Sequence, residues 1–181
     1  MEVSEIAQKV ANEIILEKHT VQKPRIFVLM GLQYAGKSYL AEKIVEKNYT
    51  HFWATKIKKT YGIANPEMIE VGLEVIERVS SIGYNLVIDF VNHKYAMRRQ
   101  FQDEAQRLAV SYQVIFIDTS RQERLQRREI NIQEGDKSGR RVISLEQIQE
   151  FEREFELPQD TEPTITLRTQ SDILKFPETL Q

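Results

Sequence analysis

Eight residues near the start of the chain have types and spacing suited to binding phosphate. The stretch is GLQYAGKS, from Gly31 to Ser38, and its spacing is G-x-x-x-x-G-K-S. Glycines let successive backbone N–H groups turn toward one anion, and a helix that follows adds the positive end of its dipole. The lysine reaches phosphate oxygens, and the serine hydroxyl is a hard ligand for Mg²⁺. This stretch therefore predicts a phosphate-binding loop, or P-loop, that holds a nucleotide.

Individual contacts can be assigned within this loop. Lys37 reaches the β- and γ-phosphate oxygens, and Ser38 ligates Mg²⁺. Tyr34 is an unusual loop residue, and its side chain either projects from the loop or covers the nucleotide. The predicted nucleotide-binding residues are Gly31, Leu32, Gln33, Tyr34, Ala35, Gly36, Lys37, Ser38 and Tyr39.

The elements around the loop follow an alternating pattern. The loop comes directly after RIFVLM, a short apolar run typical of a buried strand. Strands that are continuous apolar runs and that alternate with helices indicate a parallel sheet covered on both faces. Strands are predicted at 25–30, 50–54, 84–90, 112–118 and 164–168, and helices at 3–17, 37–47, 66–82, 94–109, 120–130 and 144–155.

Composition narrows the class of protein. The chain has 181 residues, which suits a single domain over 1–181, with an N-terminal helix within 1–20. The net charge of −2 argues against stable nucleic-acid binding, and the apolar runs are too short to enter a membrane. The chain has no cysteine, and its start does not resemble a signal peptide, so we expect a cytoplasmic protein.

A GTPase is the first alternative that this loop raises. A GTPase needs an N-K-x-D sequence after a later strand to recognise guanine, and the chain has none. Its D-x-x-G sequence, Asp136 to Gly139, lies in the charged loop 133–141 and does not follow a strand. The loop therefore fits an ATP-binding protein better than a GTPase.

Three further segments resemble one group of enzymes. They are VIDFVNHKYAMRRQFQDEAQRL (87–108), VIFIDTSRQERLQRR (114–128) and EFEREFELPQDTEP (150–163). With the loop, they resemble the small P-loop kinases of the zeta-toxin, polynucleotide-kinase and chloramphenicol-phosphotransferase type, over most of 25–168. The resemblance implies a three-layer α/β/α P-loop NTPase fold. Its five-stranded parallel sheet has the order 2-3-1-4-5, and a small arginine-bearing lid spans about 119–142.

The resemblance also implies a reaction and the residues that carry it. The reaction is transfer of the ATP γ-phosphoryl group to a small hydroxyl or phosphate acceptor, with Mg²⁺. Lys37, Arg124 and Arg128 are the expected phosphate contacts, since the two arginines are four apart and share a helix face. Asp89 ends a strand at the edge where ligands bind, so it either orients Mg²⁺ or accepts a proton. Asn92 lies nearby, as a site residue or as a simple turn residue.

The chain departs from this group at one position. Lys56 stands where the group has the aspartate that activates the acceptor, and Lys59 stands where it has an arginine. No acidic residue lies between Asn48 and Asn65. Three interpretations stay open: the alignment is offset by a few residues, Asp89 serves as the base, or the protein binds nucleotide without transferring phosphate. The basic segment also suits an anionic acceptor.

The remaining candidates are predicted to be structural. Phe52 and Trp53 are expected in the core, and the two histidines His51 and His93 lack partners at metal-ligand spacing. Four other arginines are expected on solvated surfaces, namely Arg98 and Arg99 on a helix and Arg140 and Arg141 in the charged loop.

Overall fold

Five strands form one fully parallel sheet, as the alternating pattern predicts. The computed structural model describes residues 1–16, 18–134 and 142–180, so Arg140 and Arg141 lie outside the described residues. The strand order is β2-β3-β1-β4-β5, which confirms the predicted 2-3-1-4-5 topology. The strands are β1 (Arg25–Met30), β2 (Tyr49–Trp53), β3 (Asn85–Asp89), β4 (Ser111–Ile117) and β5 (Thr164–Leu167).

Helices cover both faces of this sheet. They are α1 (Val3–Ile14), α2 (Lys37–Val45), α3 (Ala54–Tyr61), α4 (Asn65–Ser81), α5 (Tyr95–Arg107), α6 (Arg121–Gln133), α7 (Leu145–Glu154) and α8 (Gln170–Lys175), with a 3₁₀ helix at Phe176–Thr179. One hydrophobic core packs α1, α4 and α5 against the sheet around Val28, Phe52 and Ile88. The other packs α2 and α8 against the opposite face around Leu29 and Leu40.

Local signals explain several of these boundaries. The side chain of Ser144 accepts a hydrogen bond from the Gln147 N–H, and Gln147 reaches back to the Ser144 N–H, which is the predicted capping box of α7. Pro66 lies in the first turn of α4, where a missing N–H costs nothing. Within the described residues, no helix combines the length and apolarity needed to cross a membrane.

Two stretches contain helices that were not predicted. Helix α3 directly follows β2, where no helix was expected, and it buries only Ala54 and Ile57. Helix α8 and the 3₁₀ helix contribute Ile173 and Phe176 to the second core. Both stretches are too short and too polar to show a helical period, so tertiary contacts stabilise them.

Trp53 corrects one core prediction. Phe52 is fully buried, as predicted, whereas Trp53 is 40% exposed. The two residues alternate across β2, and β2 is an edge strand of the sheet. Among the described residues β2 has a neighbouring strand on one side only, and Trp53 is its last residue, so part of the indole stays in solvent.

Arg98 corrects a second prediction. Its side chain has no exposure, and Nε and Nη2 donate to Glu162 over 2.7 and 2.9 Å. Nη1 donates to the Asn92 carbonyl at 3.0 Å. Arg99, its neighbour in sequence, is 43% exposed and pairs with Asp103 on the surface, as predicted. Local sequence cannot separate these two arginines, because the partner of Arg98 lies 64 residues away.

Replacing Arg98 with methionine should destabilise the protein by about 3–5 kcal/mol, because Glu162 would be left charged, buried and unpaired. Urea unfolding followed by circular dichroism measures this difference. Arg99→Met is the matched control, and it should cost less than about 1 kcal/mol because exposed ion pairs contribute little. Equal losses in the two variants would contradict the structural role given to Arg98.

Candidate nucleotide and phosphoryl-transfer site

The loop between β1 and α2 has the backbone of a close anion-binding turn. Gly31 has φ 154°, and a Cβ atom there would lie 2.8 Å from the Ile117 carbonyl oxygen. Gly36 has φ 111° and lies directly before α2. Side chains are therefore excluded at both ends of the loop. The first N–H groups of α2 lack intrahelical partners, and they are available to phosphate oxygens.

Residues from outside the loop hold its carbonyl groups. The Ala35 carbonyl accepts from Thr119 Oγ1 at 2.9 Å and from Arg127 Nη1 at 2.7 Å. The same Arg127 nitrogen also donates to the Tyr34 carbonyl at 3.2 Å. These bonds fix the carbonyl side of the loop to β4 and α6. Arg127 was not among the predicted site residues, and its helical spacing alone gives no signal for this contact.

Lys37 lies between the loop and two charged side chains. Its Nζ donates to the carbonyls of Gly31 and Leu32, at 2.9 and 3.0 Å. Burial lowers the pKa of Lys37, the nearby Asp89 carboxylate opposes this, and the Arg124 guanidinium lowers it further. The two carbonyls are weak compensation for a partly buried ammonium group. An anion bound in the loop would raise this pKa again and stabilise the charge.

Asp89 lies at the carboxyl end of β3, as predicted. It is 6% exposed, and its Oδ2 has no hydrogen-bond partner within the described residues. Among the described residues, the nearest basic group is His51 Nε2, 3.8 Å from Oδ2, which is beyond hydrogen-bonding distance. A buried oxygen without a partner is uncommon and needs a ligand or water to satisfy it.

Arg124 is the predicted arginine that lies near Lys37. It is 4% exposed, and Nη2 donates to Glu152 at 2.6 Å. Its Nε and Nη1 have no hydrogen-bond partner within the described residues. The glutamate pairs one edge of the guanidinium group, and two donors remain for an anion such as phosphate.

Arg128, the second predicted arginine, points to a different part of the chain. Its Nε donates to the Ile143 carbonyl at 2.8 Å, and Nη1 pairs with Glu129 at 2.9 Å. Arg121 is mostly exposed and pairs with Glu152. The shared helix face of Arg124 and Arg128 therefore does not bring both side chains to the same group.

Tyr34 projects from the loop toward the segment that precedes α7. Its backbone has φ 61°, an uncommon conformation for a residue with a side chain. The Tyr34 hydroxyl accepts a hydrogen bond from the Ile143 N–H at 3.0 Å. Ile143 is therefore held at both backbone groups, by Tyr34 from the loop and by Arg128 from α6.

Asn92 is buried near the same edge of the sheet. It has φ 45°, and its Nδ2 donates to the Leu29 carbonyl in β1 at 2.9 Å. Its Oδ1 lacks a partner within the described residues. Because Arg98 also bonds its carbonyl, Asn92 is more constrained than a simple turn residue.

Lys56 and the histidines have contacts that the sequence did not predict. Lys56 lies in α3 and pairs with Glu13 of α1. His51 stacks on Trp53, with ring centroids 5.8 Å apart. His93 Nε2 lies 3.6 Å from Glu154 Oε2. Lys56, at the position where the aspartate was expected, therefore pairs with the N-terminal helix α1.

Sequence comparisons and fold comparisons give different results for this chain. No protein-family model matches it, and no curated protein matches it in sequence. Solved structures match it in fold. Kti12 of Chaetomium thermophilum, in complex with ADP-AlF3, gives a TM-score of 0.66 at 14% identity and covers 84% of this chain and 95% of its own.

Two kinases give similar values. The Mycobacterium tuberculosis APS kinase CysC, in complex with AMPPNP and APS, has a TM-score of 0.58 at 13% identity, over 86% of this chain and 94% of its own. A gluconokinase from Sinorhizobium meliloti 1021 has a TM-score of 0.59 at 16% identity, and the match covers 88% of this chain and 97% of its own. The chain therefore has the fold of the small P-loop kinases, a P-loop NTPase fold with a five-stranded parallel sheet.

Replacing Tyr34 with phenylalanine should speed amide hydrogen exchange at Ile143 by about 3- to 10-fold, the value of one lost hydrogen bond. Hydrogen exchange followed by NMR measures this directly. Tyr39→Phe is the control, because that hydroxyl belongs to α2 and does not bond Ile143. Unchanged exchange at Ile143 in Tyr34→Phe would show that the hydroxyl does not hold this segment in solution.

Proposed function

We propose that the chain is an ATP-dependent phosphotransferase that moves the γ-phosphoryl group to a small hydroxyl or phosphate acceptor. The observation that carries this proposal is the buried Asp89 carboxylate, unpaired at Oδ2 and close enough to Lys37 to influence its pKa. A protein that only binds nucleotide would use such a carboxylate for Mg²⁺ alone, whereas a phosphotransferase can also use it on the acceptor. A carboxylate held without partners costs folding free energy, so its presence beside a phosphate loop indicates a functional role.

Nucleotide binding is the first step of this proposal. The N–H groups at the start of α2 contact the phosphates, and the Lys37 ammonium exchanges its two carbonyl partners for phosphate oxygens. The free Nε and Nη1 of Arg124 neutralise charge on the group being transferred. Kti12 in complex with ADP-AlF3 and APS kinase in complex with AMPPNP share this fold, and both complexes support ATP as the ligand of this loop.

Two residues would hold Mg²⁺. Ser38 follows Lys37 at the start of α2, and Asp89 supplies an unpaired carboxylate oxygen. Oxygen donors of this kind suit Mg²⁺, which binds few protein groups and completes its shell with phosphate oxygens and water. Bound there, the ion neutralises charge on the phosphate oxygens. Among the described residues no cluster of three acidic or histidine side chains forms a separate metal site.

Asp89 also serves as the base in this proposal, directly or through a water molecule. The acceptor oxygen forms a bond to the γ-phosphorus, the bond between that phosphorus and the bridging oxygen of ADP breaks, and the acceptor proton moves to Asp89. This base would replace the aspartate that Lys56 displaces in sequence.

A second function has one observation in its favour. Lys56 pairs with Glu13 of α1, so the position of the usual acceptor-activating aspartate is committed to a surface contact. On this interpretation the protein binds Mg·ATP and transfers nothing to a small acceptor. The two functions share the loop, and they differ in whether Asp89 has a chemical role.

An assay of label transfer from γ-labelled ATP, with Mg²⁺ present, distinguishes the phosphotransferase from the nucleotide-binding protein. The acceptor panel contains nucleosides, nucleoside monophosphates, 5′-hydroxyl oligonucleotides, UDP-aminosugars and hydroxylated antibiotics. The phosphotransferase predicts label on one class of acceptor. Retained ATP binding without labelled product from any class would favour the nucleotide-binding protein.

Substitutions test the roles of two residues. Lys37→Ala should abolish both transfer and the rise in unfolding temperature that Mg·ATP gives the native protein.

Asp89→Asn should retain ATP binding and lower the turnover by at least about 100-fold, as expected for loss of a general base. Asp103→Asn, an exposed carboxylate on α5, is the control and should keep full turnover. Full turnover in Asp89→Asn would remove Asp89 from the mechanism.

A further inference from the structure

A cleft lies at the outer edge of the sheet, away from the P-loop. It is bounded by α1, the edge strand β2 and α3, and its volume is about 200 Å³. Its apolar lining comes from Val10 and Ile14 of α1, Val45 at the end of α2 and Ile57 of α3. This volume is smaller than that of a typical drug-sized pocket, so it fits one ring and leaves the rest of a ligand in solvent.

Trp53 gives this cleft a stacking surface. The His51 ring lies parallel to the indole, at 5.8 Å between centroids and 4° between planes. Trp53 is nevertheless 40% exposed. A single exposed apolar residue is ordinary on a protein surface. A tryptophan fixed by stacking on one face and lining an apolar cleft is a preformed platform for a planar ring.

Charged groups lie on the rim of the same cleft. Of the described residues that line the cleft, Lys18 and Lys56 are cationic and Glu13 is acidic, so cations outnumber acids among them. The Lys18 ammonium donates to the Val45 carbonyl at 2.8 Å. Lys56 and Glu13 form an ion pair in which both side chains are more than half exposed. Such a pair contributes little free energy, so an anionic ligand can displace Glu13 from Lys56 at small cost.

His51 connects the cleft to the interior. It lines the cleft, and its buried Nε2 has no hydrogen-bond partner within the described residues. Trp53 pairs with Asp89 in the β2–β3 register, and His51 pairs with Val87 two residues earlier. The three polar and aromatic side chains therefore lie on one face of the sheet. A ligand in the cleft contacts a side chain that lies beside Asp89.

We propose that this cleft is a binding site for a small ligand that combines a planar aromatic ring with an anionic group. The ring stacks on Trp53 above the apolar floor, and the anion pairs with Lys56 and Lys18. The site is separate from the P-loop and does not depend on phosphoryl transfer. Helix α1, which completes the cleft, lies outside the part of the chain that resembles the kinases.

The fluorescence of Trp53 reports directly on this site, because it is the only tryptophan in the chain. Three probes separate the parts of the ligand: AMP carries both a ring and an anion, adenosine only the ring, and ribose 5-phosphate only the anion. AMP should quench Trp53 in a saturable way, adenosine should require a several-fold higher concentration, and ribose 5-phosphate should have the weakest effect. No saturable change with AMP up to about 5 mM would overturn the proposal.

Variants of two lysines in α3 locate the binding. Lys56 lines the cleft, whereas Lys59 is exposed on the same helix and does not line it. Lys56→Gln should raise the Kd for AMP by about 2- to 5-fold, the value of one exposed ion pair, and Lys59→Gln should leave it unchanged. Equal Kd values in the two variants would show that AMP does not bind in the cleft.

The nucleotide loop is tested in the same assay. Lys37→Ala should keep the AMP response, because Lys37 belongs to the P-loop and not to the cleft. Loss of the response in this variant would place the AMP in the loop and would also overturn the proposal. A retained response together with failed phosphoryl transfer would leave the cleft established and the proposed function rejected, so the two results stay distinguishable.

Discussion

The site depends on how the carbonyl of Ala35 is held. This oxygen accepts hydrogen bonds from Thr119, which follows β4, and from Arg127 on α6. Loop carbonyls that turned inward would repel phosphate, and the backbone N–H groups would lose their common direction. Two donors on the outer side prevent this. A single peptide group thereby joins the loop to the segment after β4 and to the arginine-bearing helix α6.

A second set of contacts holds the opposite side of the site. Glu162 pairs with Arg98, Arg98 bonds the Asn92 carbonyl, and the Asn92 side chain bonds Leu29 at the end of β1. The ion pair is buried, and such pairs specify an arrangement more than they stabilise it. Here they connect the segment before β5 with α5 and β1. They fix the turn that follows Asp89, so this carboxylate stays at the edge of the sheet where the P-loop begins.

The charged side chains of the site favour an anionic ligand. Lys37 and Arg124 are both cationic, and their protein partners are two carbonyl oxygens and Glu152. Burial is the main cause that lowers the pKa of Lys37, and the Arg124 guanidinium lowers it further. Asp89 offsets this only in part. A bound polyphosphate supplies the negative charge that the side chains lack, so binding relieves an unfavourable free energy that the folded protein otherwise contains.

The sequence by itself determined the strands, their parallel arrangement and the P-loop, because the period of apolar residues and the positions of glycines are local properties of the chain. The strand order followed from the resemblance of the chain's motifs to those of the small P-loop kinases. The sequence also placed Asp89 at a strand end. Tertiary structure decided which charged residues serve the site. Arg98 and Arg99 are adjacent, yet only Arg98 finds a buried partner, and Arg127 contacts the loop where Arg128 does not. These choices depend on residues dozens of positions away, which no local pattern contains.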